Sequence, residues 1–261
     1  MRDPLEGVSA AGTITTGADI ARVPAPFAPV LDAAADALAD PAVALYLYGS
    51  VATGQARPRD SDVDLLTVDL GPNDAAAIAT ELTAQFPDTC RAVEIAAATG
   101  ADFLGDTDAA YGGRVFLRHY CVRLRGLDHD RSTHDFPADA RAARGFNGDL
   151  AAHAQRWQTA IDDAVDSGTI GRLMARKTLL AVAGLVSLHD RTWTTDRLLA
   201  ATRWAEIEPD LAPGLAVLLD WTRLAASPQH AEVVDTLERT VMTIVGQFAD
   251  RIGLWNDAPD G

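Results

Sequence analysis

Cysteine is scarce in this chain. Cys90 and Cys121 are the only two in 261 residues, and their separation fits no metal-binding spacing. Two thiols without an export signal predict a reduced, cytoplasmic protein. The N-terminus, MRDPLEGVSAAGTITTG, has neither the basic start nor the continuous apolar core of a signal peptide. No apolar run approaches the ~20 residues needed to span a bilayer, so no membrane partner is expected. Positive charge is also short: 22 Lys and Arg stand against 37 Asp and Glu, for a net charge of −15. A surface of that sign repels phosphate backbones. It excludes a polymerase or general nucleic-acid binder, which would need a basic stripe, and it favours a cationic substrate.

A hydrophobic fraction of 48% with 23% charged residues is that of a soluble globular protein large enough for two domains. Residues 1–24 carry no sustained period and are expected to be a loose leader. From there to residue 130 the pattern mixes strands and helices. A helix is predicted from Pro29 to Ala39, a strand from Val43 to Tyr48 and a second strand from Val63 to Asp69. Gly71-Pro72-Asn73-Asp74 opens a helix that runs through Phe86, and Arg91 to Ala97 alternates as a half-buried strand. Phe103 to Gly113 reads as irregular, and Arg114 to Arg125 as extended. Residues 126–137, GLDHDRSTHDFP, form a polar linker. His129 and His134 within it are read as linker residues and not as metal ligands.

Residues 131–261 show only helical patterning, with no internal repeat. Helices are expected over Ala138–Asp166, Ile170–His189, a segment capped by Thr194-Thr195-Asp196, Leu211–Ala225 and Gln229–Ile252. The fold class that follows is α+β, a mixed sheet with helices at residues 25–130 followed by an all-α bundle. Trp157, Trp193, Trp204 and Trp221 are expected in the core of that bundle.

The chemistry concentrates in LYLYGSVATGQARPRDSDVDLLT, Leu45 to Thr67. Strand side chains alternate, so Asp62 and Asp64 point one way while Val63 and Leu65 enter the core. Two adjacent carboxylates repel unless a divalent cation lies between them, and hard oxygen ligands of this kind suit Mg²⁺. Gly49-Ser50 supplies a turn where backbone can approach a phosphate. Glu94, mid-strand among alanines, is a third acid expected on the same sheet. Gly49 to Gly54 also spells Gly-x-x-x-x-Gly, but Gln55-Ala56 stands where a P-loop needs lysine and a hydroxyl residue, which excludes that motif.

A glycine-serine turn, about a dozen residues, an acid–apolar–acid triplet in a strand and a later third acid resemble the DNA polymerase β-type nucleotidyltransferase superfamily. The match covers residues 43–97. The α/β-then-helical layout is most similar to the aminoglycoside (streptomycin/spectinomycin) adenylyltransferase branch. WTTDRLLAATRWA, Trp193 to Ala205, resembles that branch's helix with a basic residue ahead of a Trp-Ala pair. The resemblance implies an adenylyltransferase with a two-metal Mg²⁺ site, in which Asp62, Asp64 and Glu94 bind metal and Glu94 is the general base. ATP would be gripped at Gly49 and Ser50. Basic contacts would come from the helical half: Arg197 near the lysine position, and Lys177, Arg172 or Arg176 for an arginine. The acceptor would be the hydroxyl of a small molecule, an aminoglycoside antibiotic fitting the acidic surface, so that the protein would act in antibiotic resistance. Alternatives within the same reading are adenylylation of a protein and a nucleotide sensor without turnover.

Overall fold

Continuous apolar runs make the central strands of the N-terminal unit, and the acids at their ends mark where the sheet meets solvent. The computed structural model describes residues 2–130, 132–163, 165–223 and 228–255. In chain order the first half holds β1 (Gly7–Val8), β2 (Ile14–Thr15), α1 (Ala28–Asp36), β3 (Ala44–Tyr48), α2 (Gly49–Ala52), β4 (Val63–Val68), α3 (Pro72–Gln85), β5 (Val93–Ala98), α4 (Asp108–Tyr120) and β6 (Val122–Arg125). The second half holds α5 (Ala140–Asn147), α6 (Leu150–Asp162), α7 (Ser167–Asp190), α8 (Arg197–Ile207), α9 (Ala212–Trp221), α10 (His230–Thr236), a π-helical turn (Leu237–Val241) and α11 (Met242–Arg251). The fold is therefore mixed α/β followed by helices. Two compact units emerge: Met1–Asp106 with Gly113–Phe136, and Thr107–Gly112 with Pro137–Gly261.

In the first unit the strands lie in the order β5-β4-β3-β6. β3 is antiparallel to both β4 and β6, whereas β4 and β5 run parallel, joined through α3. Alternation gives the sheet two packed faces. Leu45, Leu47, Val63, Leu65 and Val93 form one core with Val30 and Leu31 of α1 and Leu82 of α3. Ala44, Tyr46, Leu66 and Val68 face the other way and pack with Phe103 and with Leu117 of α4. Burying an apolar side chain of this size stabilises by roughly 1.5–3 kcal/mol, so the doubly covered β3 and β4 anchor the unit. Within the expected leader, β1 and β2 pair antiparallel, Gly7 opposite Thr15.

Local expectations are corrected around α4: Asp108–Gly113, expected to be irregular, is its first half. Arg114–Tyr120 is not extended; it completes α4, and only Val122–Arg125 is strand. Val115, Leu117 and Val122 suggest a period of two, but beside Ala110 and Leu117 the helix buries Asp108, Tyr111, Gly112, Val115 and His119 at steps of three and four. That spacing is helical. Two of its members are polar and one is glycine, so apolar periodicity alone misses it. His119 finds its partner at the Phe136 amide, which donates to its Nε2 at 2.9 Å. Burial lowers the pKa of this imidazole below the usual histidine value, with Asp135 and Asp130 opposing and Arg118 adding to the shift.

The second unit is organised on α7, 24 residues long, which packs against α5, α6, α8, α9 and α11. Asp196 caps α8 as expected, and Asp139 and Asp166 cap α5 and α7 in the same way. Asp139, Asp166 and Asp196 accept from the backbone N–H of Ala142, Thr169 and Leu199, each satisfying a donor that the first helical turn leaves open. Ser167-Gly168, between the expected helices Ala138–Asp166 and Ile170–His189, begins α7 behind the Asp166 cap. The expected Leu211–Ala225 helix is α9 with a preceding 3₁₀ turn; its last two residues lie outside the described residues. Trp157, Trp193, Trp204 and Trp221 are all buried. Among the described residues no helix is long and apolar enough to cross a membrane.

Candidate functional site

The end of β3 and the starts of β4 and β5 meet at one edge of the sheet. Val63 and Leu65 are fully buried, which turns the intervening Asp64 to the opposite face. Parallel pairing sets Asp64 beside Glu94, and antiparallel pairing sets it beside Tyr48. In-register pairing makes the two acids neighbours on one face of the sheet, where like charges disfavour each other. A pair so placed can accept a cation.

Gly49 gives the edge its room. Its φ is +73°, in the left-handed region that favours glycine. A Cβ there would collide with Asp64 Oδ2 and lie 3.1 Å from Asp64 Cγ. The turn from β3 into α2 thus passes directly against the Asp64 carboxylate. Ser50 is half-buried in the single turn of α2. Its carbonyl accepts from the Gln55 and Ala56 amides at 2.8 and 3.0 Å, which fixes the small-residue loop that follows.

Asp62 precedes β4, and its two carboxylate oxygens are gripped by Arg91: Nε donates to Oδ1 at 2.9 Å, and Nη2 donates to Oδ2. The Asp62 bond is the main cause that raises the Arg91 pKa above its ordinary value; burial opposes it, and the charges of Asp62, Glu94 and Asp64 add to it. All three acids therefore act on this one guanidinium. Sequence reading missed Arg91, because its role depends on the parallel pairing of β4 and β5. The signal available was an arginine three residues ahead of the acid in the second strand.

The structure brings Gly49, Ser50, Asp62, Asp64 and Glu94 together on one unit. Lys177 and Arg197 lie in the other. Lys177, the single lysine of the chain, forms an ion pair with Asp149 Oδ1 at 2.6 Å and donates to the Phe146 carbonyl at 3.1 Å. Burial pushes the Asp149 carboxyl up, but the His153 bond and the Lys177 charge outweigh it and bring it down to about 2. Lys177 thus fastens α7 to the start of α6. Arg197, the first residue of α8, donates from Nε to the Arg176 carbonyl at 3.2 Å.

Asp64 and Glu94 offer hard oxygen donors on one face, beside backbone that Gly49 leaves open, and this donor chemistry fits Mg²⁺. Asp62, the third acid, is bonded through both its oxygens to Arg91. Among the described residues no group of three or more His, Cys, Asp or Glu is already arranged around a metal position.

No family model and no curated protein sequence matches the chain. Among solved structures it is similar to spectinomycin adenyltransferase AAD(9) from Enterococcus faecialis, crystallised with ATP and spectinomycin. The TM-score is 0.48 at 11% sequence identity, over 84% of this chain and 98% of that one.

Proposed function

We propose that the protein is a Mg²⁺-dependent nucleotidyltransferase that moves AMP from ATP to a hydroxyl of a small, cationic molecule, with release of pyrophosphate. The observation that carries this reading is the in-register pair of Asp64 and Glu94 with the Gly49 turn held against Asp64. Acids gathered at a strand end beside a left-handed glycine, with Arg91 on Asp62, suit a fold that receives a metal–triphosphate there.

Asp62 and Asp64 would hold the metal, with Glu94 at its border. The bound Mg²⁺ supplies charge stabilisation for the attacking and leaving oxygens. Glu94 is exposed on β5 and reachable by an acceptor. It takes the proton of the acceptor hydroxyl as that oxygen bonds to the α-phosphorus and the bond from phosphorus to the pyrophosphate oxygen breaks. Gly49 and Ser50 let the phosphates approach backbone without a side chain intervening. The net charge of −15 favours a polycation such as an aminoglycoside as the acceptor.

The test is incubation with Mg-ATP and a panel of aminoglycosides, followed by mass detection of an adenylylated product. An adduct on one acceptor supports the proposal. Label appearing on a lysate protein instead would move the acceptor to a macromolecule. ATP binding with no product from any acceptor would leave a nucleotide sensor.

A further inference from the structure

Arg91 is placed for a task that the proposed reaction does not assign. Its backbone is fixed between the two strands: the Arg91 amide donates to the Ser61 carbonyl at 3.0 Å, and the Val63 amide donates to the Ala92 carbonyl at 2.9 Å. Its side chain is anchored only at the tip, and among the described residues the guanidinium bonds to Asp62 alone. That side chain is 49% exposed, whereas the Asp62 side chain is 16% exposed. A purely structural arginine is tied at several points to carbonyls or acids, as Arg125 is to the Ala35 and Leu38 carbonyls. Arg91 instead covers an enclosed acid with a half-solvated arm. Rotation of the side chain alone, without backbone movement, uncovers Asp62.

We propose that Arg91 is the resident counter-ion of the carboxylate edge, exchanging Asp62 for a nucleotide phosphate when metal and nucleotide load. In the nucleotide-free protein it occupies both Asp62 oxygens and competes with a divalent cation for them. When the metal–nucleotide arrives, Asp62 passes to the metal and the guanidinium passes to a phosphate oxygen. The planar fork that matched a carboxylate matches a phosphate equally well. An exposed ion pair is weak enough to be given up, yet it offsets the repulsion among three acids until then. The inference rests on the proposed nucleotidyltransferase site and names a further phosphate-positioning residue within it.

Opposite effects on two affinities test it. Mn²⁺ binding is read by electron paramagnetic resonance of the free ion, first without nucleotide and then with a non-hydrolysable ATP analogue, for wild type, Arg91→Gln, Arg91→Lys and Asp64→Asn. Without nucleotide, Arg91→Gln is expected to bind Mn²⁺ about 2- to 5-fold more tightly, because a competing surface pair is gone. With Mn²⁺ present it is expected to bind the analogue about 10-fold more weakly, from loss of one charged hydrogen-bonding group. Arg91→Lys keeps the charge without the fork and should fall between the two, which provides the same reading if Arg91→Gln folds poorly. Wild type that binds Mn²⁺ while the Arg91 variants weaken both ligands, or change neither, overturns the Arg91 exchange and leaves the site reading standing. Absence of Mn²⁺ and nucleotide binding in wild type, with Asp64→Asn no different, overturns both.

Discussion

Gly49→Ala separates the needs of the fold from those of the site. At φ +73° an alanine pays a left-handed backbone cost of about 1–2 kcal/mol. Its methyl would also overlap Asp64 Oδ2, with Asp64 Cγ at 3.1 Å and Cβ at 3.3 Å. The clash falls on the end of a side chain and not on backbone, so the fold can absorb it by rotating Asp64 away. The site cannot, because that carboxylate would then no longer face Glu94. Urea unfolding should therefore fall by only about 1–2 kcal/mol, while Mn²⁺–nucleotide affinity drops by about 10- to 100-fold, the range seen when a ligand loses its positioning. Gly12→Ala is the matched control: its φ is +81° and a Cβ there meets nothing within 4 Å. It carries a similar backbone cost with no contact to the acids. Equal nucleotide affinity in the two variants would refute the claim that Gly49 is glycine for the sake of Asp64.

Further outcomes follow from other residues. Glu94→Gln should lower kcat by about 10²–10⁴ with a smaller effect on Mn²⁺ affinity, read by single-turnover kinetics, whereas Asp64→Asn should lose metal binding itself. Lys177→Met leaves the Asp149 carboxylate with His153 as its remaining partner and should destabilise the helical unit by about 1–2 kcal/mol in urea, with the nucleotide KM changed less. In wild type the Asp149 shift from 3.8 to about 2 is worth roughly 2 kcal/mol. The depressed folded pKa means this stability is present above about pH 4 and lost as pH falls toward 2, which acid unfolding of wild type against Asp149→Asn should resolve. Burial raises the Tyr46 phenol to about 12, helped by Asp128 and opposed by the His129 amide and Arg123. Its contribution to stability is full below the ordinary tyrosine value of 10 and fades as pH rises toward 12, visible as a late phase in ultraviolet titration that Tyr46→Phe removes.

The parts of the fold governed by local chemistry were legible. Val63 and Leu65 alternate with Asp62 and Asp64, so the strand and the direction of its acids follow from period two alone. Asp196 caps α8 for reasons carried by three adjacent residues. What the sequence did not disclose depended on long-range pairing. Nothing local aligns Asp64 with Glu94, since that register is a property of two strands 30 residues apart joined through α3. Arg91 was overlooked for the same reason. α4 was misread because its buried stripe includes Asp108, Gly112 and His119, whose partners are supplied by the fold: Asp108 accepts from Arg144 at 2.7 Å, and Gly112 lies backbone to backbone against Gly145. The Lys177–Asp149 ion pair is another contact between separate helices that no local pattern shows.

The most direct measurement is pyrophosphate release from Mg-ATP in the presence of an aminoglycoside acceptor, with wild type and Asp64→Asn side by side. Release that requires the acceptor and is abolished by Asp64→Asn is the expected result. No release from wild type with any acceptor, or equal release from both proteins, would contradict the assignment of this sheet edge as a nucleotidyl-transfer site.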